Sequence, residues 1–104
     1  MRQICLVRLD TTRPAVVLTR AAARAAMSKV TIAPVTTTIR GLSSEVLLGP
    51  VNGLDHECAV ALDNVVTVSV DLLGRTVGYL SAEQEAALAR AVVLAYDLQV
   101  PLLE

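Results

Sequence analysis

The sequence has almost no aromatic side chains. Tyr79 and Tyr96 are its only aromatic residues, and it contains neither tryptophan nor phenylalanine. Proteins that bind single-stranded nucleic acids on aromatic stacking platforms need more rings than this, so that mode of binding is excluded. The chain has one histidine, His56, and two cysteines, Cys5 and Cys58. Their spacing matches no zinc site, which disfavours metal catalysis through imidazole or thiolate ligands.

Long hydrophobic runs are also missing, although 54% of the residues are hydrophobic. The uncharged, mostly apolar stretches fall well short of the ~20 residues that a membrane-spanning helix needs. The N-terminus does not have the basic and then apolar pattern of a secretory leader. We therefore expect a cytoplasmic protein without a membrane partner. In such a protein, two distant cysteines are expected to be free, buried thiols.

The chain of 104 residues is long enough to bury one hydrophobic core but not two. It contains no internal repeat, low-complexity segment or linker, so we predict a single domain over residues 1–104. The apolar content is high for a domain of this size. A small monomer cannot hide so many apolar side chains, which indicates a buried interface between copies of the chain.

Charge is distributed unevenly along the sequence, although the net charge is only −1. Residues 1–40 carry seven basic side chains against one acidic one, and residues 41–104 carry two basic against nine acidic. A basic half can present a patch to phosphate groups while the acidic half faces elsewhere. Alternatively, the asymmetry averages out when the chain folds.

Short apolar segments bounded by turn residues predict a mainly β protein with helices, built as a small curled sheet or barrel. The predicted strands cover residues 4–9, 15–19, 29–36, 43–48, 57–62 and 75–80. Residues 65–68 are interpreted as a continuation of the fifth strand. Within the third strand, Ile32, Pro34, Thr36 and Thr38 share one face. Pro34 cannot donate to a strand ladder, so we expect an edge or a bulge there.

Three helical segments are predicted. The alanine-rich residues 20–27 favour a short helix, and residues 70–73 favour a single turn ended by Gly74. The strongest helix signal is the capping box from Ser81 to Gln84, which starts a helix running to about Asp97. Its apolar stripe consists of Leu88, Ala91, Val92 and Ala95. The apolar tail, residues 100–104, either packs on the core or binds a partner.

Arg13 occupies a position suited to binding an anion. Pro14 fixes its own φ and pushes Arg13 toward an extended conformation at the start of an apolar, β-branched strand. A planar guanidinium held on a rigid strand can bind a phosphate through two parallel hydrogen bonds. A second polar cluster, residues 36–40, follows the third strand. If the two strands are neighbours, Arg13 and these threonines meet at one site.

Several motifs together resemble the MazF/PemK toxins of bacterial toxin–antitoxin systems. They are Arg-Pro-Ala-Val-Val at residues 13–17, Pro-Val-Thr-Thr at 34–37 and Leu-Gly-Arg at 73–75. The order of strands and the terminal helix agree with that family over nearly the whole chain, and the short mycobacterial members are the most similar subgroup. One departure is clear, since the loop before the Arg-Pro motif is reduced to residues 10–12. This loop often helps to gate or read RNA in the family.

The resemblance implies an SH3-like β-barrel of the MazF/CcdB type that pairs as a homodimer. It implies sequence-selective cleavage of single-stranded RNA without a metal or other cofactor, with a 2′,3′-cyclic phosphate and a 5′-hydroxyl as product ends. It also implies inhibition by a cognate MazE-like antitoxin. Carried over by motif, the catalytic arginine is Arg13 and the catalytic threonine is Thr36.

Other polar residues near these motifs are candidates for binding RNA. They are Thr12, Thr37, Thr38, Arg40, Asp63 and Asn64. Each also has a structural interpretation, since threonine fills strand ends well and an Asp-Asn pair can simply close a turn. His56 is a tempting general base, but it lies between Asp55 and Glu57 in a turn and is interpreted as solvated.

Two other classes of function fit the sequence less well. A non-enzymatic toxin of the CcdB type poisons DNA gyrase by binding it, but that family uses a tryptophan near the C-terminus and this chain has none. An inert interaction module would leave Arg13 and the threonines without a role. The sequence therefore favours an RNA-cleaving toxin.

Overall fold

The computed structural model describes residues 2–99, in which a curled antiparallel sheet carries two α-helices. The strands are β1 (Gln3–Arg8), β2 (Thr12–Val17), β3 (Lys29–Thr36), β4 (Glu45–Leu48), β5 (Cys58–Ala61), β6 (Val66–Ser69) and β7 (Leu73–Tyr79). The helices are α1 (Ala21–Arg24) and α2 (Ala82–Ala95), with 3-10 turns at Pro50–Asn52, Leu62–Asn64 and Val70–Leu72. The apolar tail at residues 100–104 lies outside the described residues.

The sheet is organised around β3, its longest strand. The strand order is β4-β5-β3-β2-β1-β7, and β6 pairs with β3 as well. β3 contacts β2 along one side, whereas its other side is shared by two partners, β6 at its start and β5 at its end. Because one strand bonds to three others, the sheet bends around it into a half-barrel.

Alternate side chains of the sheet enter two separate hydrophobic clusters, as a period of two requires. Val16, Ala33 and Val35 belong to the larger cluster, which α2 covers with Leu88 and Ala91. Ala15, Val17, Val30 and Ile32 belong to the smaller cluster. The predicted division of β3 into two faces is therefore confirmed for these residues.

Pro34 lies within β3 at the point where its partner changes. The β6 ladder ends at the Ile32–Val66 pair, and the β5 ladder begins at the Val35–Val60 pair. Proline has no N–H to donate, so it fits a position where a ladder is interrupted. β3 is central in the sheet, but Pro34 has no ladder partner on this side, so the expected interruption is present as a local gap between two neighbouring strands. The break that Pro34 marks is a change of neighbour.

The chain after β5 does not continue as one strand, contrary to the prediction for residues 65–68. The 3-10 turn at Leu62–Asn64 redirects it, and β6 then pairs with the opposite end of β3. The residues of β6 are apolar and β-branched like those of β5, so periodicity alone does not reveal the turn. Other predicted boundaries were also wrong by two residues or more, since β2 covers Thr12–Val17, β4 begins at Glu45 and β7 begins at Leu73.

The helix predicted over residues 20–27 is a single turn, α1. Beyond Arg24, the N–H groups of Ala26 and Met27 donate to carbonyls three residues earlier, in the tighter 3-10 pattern. Ala22, Ala25, Ala26 and Met27 are exposed, so no apolar face holds a longer helix against the core. Helix propensity from alanine alone is too weak to extend it.

Helix α2 begins as the sequence predicts. The Ser81 hydroxyl accepts from the N–H of Gln84 at 3.1 Å, and the Gln84 side chain accepts from the N–H of Ser81 at 2.9 Å. Gln84 also exchanges two hydrogen bonds with the buried side chain of Asn52, which donates to the Tyr79 carbonyl. This network joins α2, β7 and the 50–52 turn. The helix ends at Ala95, two residues before the predicted end.

Several large apolar side chains are exposed. Leu47, Val51, Leu94, Tyr96 and Leu98 are 62, 91, 58, 46 and 50% accessible. Cys5 and Cys58 are buried free thiols, as expected from the sequence. None of the helices within residues 2–99 has the length and hydropathy needed to span a bilayer.

Candidate functional site

A cavity of about 370 Å³ opens where β2, β3 and β4 approach the turn after β5. It contains six of the eight site residues predicted from the sequence. These six are Arg13, Thr36, Thr38, Arg40, Asp63 and Asn64. Pro34, Leu42, Glu45 and Ala61 complete its lining. Residues separated by up to 51 positions in sequence are thus gathered in one polar pocket.

The pairing of β2 with β3 explains why Arg13 and Thr36 share this cavity. Ala15 pairs with Pro34, Val16 with Ala33 and Val17 with Ile32. Continuing this register by two residues sets Arg13 opposite Thr36. Residues opposite each other in an antiparallel pair point to the same face of the sheet. The guanidinium and the hydroxyl are therefore aligned by backbone pairing.

The Arg13 side chain is partly buried and available to a ligand. Within residues 2–99 its guanidinium has no hydrogen-bond partner, and the one ion pair described there joins Arg2 to Glu85. A guanidinium remains protonated at neutral pH and presents a rigid fork of donors. Arg13 can therefore bind a phosphate without first breaking a contact within the protein.

Thr36 ends β3, and a local hydrogen bond fixes its side chain. Its Oγ1 accepts from the backbone N–H of Thr38 at 3.1 Å. The hydroxyl hydrogen is not used in that bond, so it can donate to a phosphate oxygen in the cavity. The same turn brings Thr38 into the lining on the side of Thr36.

Thr12 and Thr37 are not part of this cavity. Each is the sequence neighbour of a lining residue, and successive side chains of a strand point to opposite faces. Thr37 instead lines a cavity of about 150 Å³ together with His56 and Cys58. Thr12 is exposed at the start of β2, where it pairs with Arg8.

The smaller cavity has little capacity for acid–base or metal chemistry. Burial raises the pKa of the Cys58 thiol above its ordinary value, so the thiol stays neutral. His56 is exposed, which confirms its interpretation as a solvated residue. In the part of the chain that the structure describes, no three His, Cys, Asp or Glu side chains converge as a metal site requires.

Glu45 is the main cavity residue that the sequence did not reveal. Its carboxylate accepts backbone hydrogen bonds from Arg40, Gly41 and Leu42, with the shortest at 2.8 Å from Gly41. The neighbouring Ser44 is buried, and its hydroxyl donates to the Asp63 carboxylate. A signal was present, since Glu45 is a charged residue at the start of an otherwise apolar strand.

The charged side chains in the cavity differ in whether they already make hydrogen bonds within the protein. The two carboxylates, Glu45 and Asp63, accept hydrogen bonds from the protein itself. The guanidinium groups of Arg13 and Arg40 make no hydrogen bond or ion pair with other residues in the range 2–99. The guanidinium donors are thus unused, whereas the carboxylate oxygens beside them already accept hydrogen bonds, so an anion can bind to the arginines. Phosphate oxygens suit such a site better than cations do.

Solved structures with the same fold define the class of protein. The fold superposes on the Mycobacterium tuberculosis toxin MazF-mt6 with a TM-score of 0.92 at 47% identity, over 95% of this chain and all of that one. A mycobacterial endoribonuclease in complex with its cognate antitoxin matches with a TM-score of 0.84 at 25% identity, over 95% of each chain. The expected curled barrel with a C-terminal helix is confirmed as a half-barrel of the kind found in MazF toxins.

Sequence comparisons give the family. The family described as PemK-like, MazF-like toxin of type II toxin–antitoxin system matches residues 3–96. Endoribonuclease MazF3 of Mycobacterium tuberculosis is 49% identical over 98 residues, which is 94% of this chain and 95% of that protein. The probable endoribonuclease MazF5 of the same species is 43% identical over 86 residues, 82% and 79% of the two chains. The chain therefore belongs to the PemK-like, MazF-like toxin family.

Proposed function

We propose that this toxin is an endoribonuclease that cleaves single-stranded RNA in the 370 Å³ cavity. The observation that carries the proposal is the alignment of Arg13 with Thr36 on paired strands, inside a cavity with unengaged cationic donors. Relatives named as endoribonucleases, at 49% and 43% identity, support the same activity.

In the proposed reaction, the 2′-hydroxyl oxygen of the RNA attacks the adjacent phosphorus. The bond from phosphorus to the 5′-oxygen of the next nucleotide breaks, which yields a 2′,3′-cyclic phosphate and a 5′-hydroxyl. One proton leaves the 2′-oxygen and one is gained by the 5′-oxygen, so the reaction consumes no cofactor. The strand of RNA must hold the attacking and leaving oxygens in line for this displacement.

Arg13 stabilises the charge that develops on the non-bridging phosphate oxygens. Two parallel guanidinium hydrogen bonds suit two phosphate oxygens, and they strengthen as the phosphorane forms. The Thr36 hydroxyl donates to the same group. In this mechanism, a cationic side chain takes the role that a divalent metal has in other nucleases, so cleavage proceeds without a metal.

The remaining polar residues of the cavity bind the RNA. Arg40 and Thr38 are suited to phosphates, and Asp63 and Asn64 are suited to base edges because their side chains contain hydrogen-bond acceptors. Thr12 and Thr37 stay predicted RNA contacts, although neither lines this cavity. With no aromatic residue in the lining, base selection depends on hydrogen bonds and pocket shape.

We also propose that the chain forms a single domain and acts as a homodimer controlled by a cognate MazE-like antitoxin. Exposed apolar side chains such as Leu47 and Leu94 support an interface between copies. The mycobacterial endoribonuclease solved with its cognate antitoxin supports the second partner.

The test is cleavage of single-stranded RNA by the purified protein in EDTA. Arg13→Ala should lower kcat/KM by about 10²- to 10³-fold because it removes charge stabilisation from the transition state. Arg90→Ala, which removes an exposed arginine of α2, serves as the matched control. An RNA with 2′-deoxyribose at the cleaved position should not be cut.

Three outcomes would contradict the proposal. Full activity of the Arg13→Ala variant would remove the cavity from the mechanism, and a product with a 3′-hydroxyl would remove the 2′-oxygen as nucleophile. RNA left intact in an assay where the protein traps gyrase-cleaved DNA would identify a toxin of the CcdB type instead.

A further inference from the structure

Glu45 fixes the backbone of the segment that carries Arg40. Its Oε1 lies 3.2, 2.8 and 3.2 Å from the backbone nitrogens of Arg40, Gly41 and Leu42, and its Oε2 lies 3.3 Å from that of Arg40. Three successive N–H groups around a residue with positive φ form a concave anion-binding nest. Here the anion is a side chain of the protein itself.

This carboxylate is the principal restraint on the segment. Residues 37–44 connect β3 to β4 without regular secondary structure. The backbone bonds that the structure gives this segment lie near its C-terminal end, from Glu45 N–H to the Leu42 carbonyl at 3.1 Å and from Leu62 N–H to the Ser44 carbonyl at 2.9 Å. The side chains of Ile39, Arg40 and Leu42 are exposed, so core packing does not hold them. The position of Arg40 at the cavity therefore depends on Glu45.

Ser44 holds a second polar residue of the cavity, Asp63. Its hydroxyl donates to Asp63 Oδ2, and its carbonyl accepts from the N–H of Leu62 at 2.9 Å. Ser44 is only 7% accessible, whereas Asp63 is exposed at the cavity. Ser44 and Glu45, where the 37–44 segment meets β4, thus each hold a polar residue of the same cavity.

We propose that Ser44 and Glu45 are positioning residues for RNA cleavage, an inference that rests on the proposed function. Glu45 holds Arg40 for the phosphate backbone, and Ser44 holds Asp63 for a base edge. Neither residue needs to touch RNA. Both oxygens of Glu45 already accept backbone hydrogen bonds, which makes the carboxylate a scaffold rather than a proton acceptor for the reaction.

The first test is a double-mutant cycle with Glu45→Ala and Arg40→Ala. If Glu45 acts by placing Arg40, then Arg40→Ala should slow cleavage only in a protein that still has Glu45 to hold the 37–44 segment. We expect each single variant to lower kcat/KM by about tenfold, and the double variant to be no slower than Glu45→Ala alone. Additive losses in the cycle would overturn the proposal.

Two further variants separate positioning from stability. Glu45→Gln keeps an amide oxygen as acceptor for the three N–H groups and should restore most of the activity lost in Glu45→Ala. Glu83→Ala, at an exposed carboxylate of α2, is the matched control and should retain full activity. A Glu45→Gln variant as slow as Glu45→Ala would show that charge at this position, rather than backbone placement, is needed.

A measurement without RNA keeps this inference separate from the proposed function. In Glu45→Ala, hydrogen exchange at the amides of Arg40, Gly41 and Leu42 should be at least about tenfold faster than in the parent protein, with the exchange of β2 unchanged. Unchanged exchange would overturn the positioning role even if the parent cleaves RNA. If exchange is faster in Glu45→Ala but the parent protein leaves RNA intact, Glu45 still places the segment, and it is the proposed function that is overturned.

For Ser44, the informative readout is sequence selectivity. Ser44→Ala frees the Asp63 carboxylate, so cleavage sites mapped on a mixed RNA pool should broaden at one nucleotide position. An unchanged cleavage pattern would contradict the role of Ser44 in holding a base-reading side chain.

Discussion

At the scale of single residues, the register between β2 and β3 places Arg13 and Thr36 on the same face of the sheet. Their relative placement depends on backbone hydrogen bonds and on buried neighbours such as Ala15 and Ala33, which are fully inaccessible. A one-residue slip of β2 against β3 would turn Arg13 to the opposite face of the sheet from Thr36. Arg13 and Thr36 are therefore held in the cavity by the rigid central sheet.

The role of the Thr36 hydroxyl can be tested with isosteric variants. Thr36→Val removes the donor to phosphate and should lower kcat by about 10- to 100-fold, the range expected for a hydrogen bond to a charged group. Thr36→Ser keeps the hydroxyl and should stay within a few-fold of the parent. Thr67→Val on β6 is the control for the substitution itself. Equal rates for Thr36→Val and the parent in single-turnover assays would exclude the hydroxyl.

The buried thiol of Cys58 gives stability a specific dependence on pH. Its folded-state pKa is raised above the ordinary value of 9.0 by burial, so the folded state favours the neutral thiol. The unfolded chain ionises first as pH rises, and stability should therefore fall above about pH 9. Urea unfolding of the parent and of Cys58→Ala between pH 8 and 10 tests this. The slope should be smaller in the variant, and identical slopes would refute the assignment.

At the scale of elements, the loops around two glycines behave differently. Gly53 has a φ of +82°, and a Cβ there would lie 2.1 Å from the Val77 carbonyl oxygen of β7. Gly41 has a φ of +72°, but open space surrounds the position of its Cβ. One loop is packed against the sheet and the other is held only by hydrogen bonds.

Alanine substitutions at these glycines should separate steric from conformational cost. Gly53→Ala combines a left-handed backbone with a backbone clash and should lower the free energy of unfolding by about 3–5 kcal/mol. Gly41→Ala has only the conformational cost, about 1–2 kcal/mol. Chemical denaturation measures both. Equal losses would mean that the 50–53 turn moves away from β7 without penalty.

The elements that could be predicted from the sequence are those whose signals are local. The Ser81–Gln84 capping box specifies the start of α2, and alternation within β3 specifies its two faces. The separation of β6 from β5 was missed because it depends on which end of β3 is unoccupied, a relation between distant residues. The length of α1 was overestimated because propensity was considered without the packing that a helix needs.

The residues of the candidate site also divide into those with a recognisable sequence signal and those without one. The sequence contains Arg13 and Thr36 in recognisable motifs, and the resemblance to a family supplies their roles. The part played by Glu45 was missed because it acts through backbone N–H groups, which carry no side-chain signature. Thr12 and Thr37 stay predicted RNA contacts, and the sequence does not reveal that their side chains lie outside the 370 Å³ cavity that their neighbours Arg13 and Thr36 line.

At the scale of the whole molecule, the basic half of the sequence contributes Arg13 and Arg40 to the cavity, and the acidic half contributes Glu45 and Asp63. The acidic groups are engaged within the protein, so the arginines dominate the interaction with a polyanion. The two halves of the sequence, which differ in charge, are therefore brought together at this cavity and are not segregated there.

Binding of RNA to the Arg13→Ala protein, in which cleavage is expected to be slow, should weaken as salt is raised. For single strands, each phosphate contact contributes about −0.7 to the slope of log K against log salt. Adding Arg40→Ala to that protein should reduce the slope by about 0.7, and adding Arg90→Ala should leave it unchanged. A flat response in the Arg13→Ala protein would remove phosphate contacts from the account of binding.

The placement of Arg40 on a connection, and of Arg13 and Thr36 on paired strands, has a consequence for how such toxins diversify. Residues 37–44 and the Leu62–Asn64 turn can change length and composition without moving the two strands. Under the proposed function, edits to these surface segments change which RNA is bound and how fast it is cleaved, whereas Arg13 and Thr36 keep their places on the paired strands. Target choice and bond breaking become separately evolvable traits of one small scaffold.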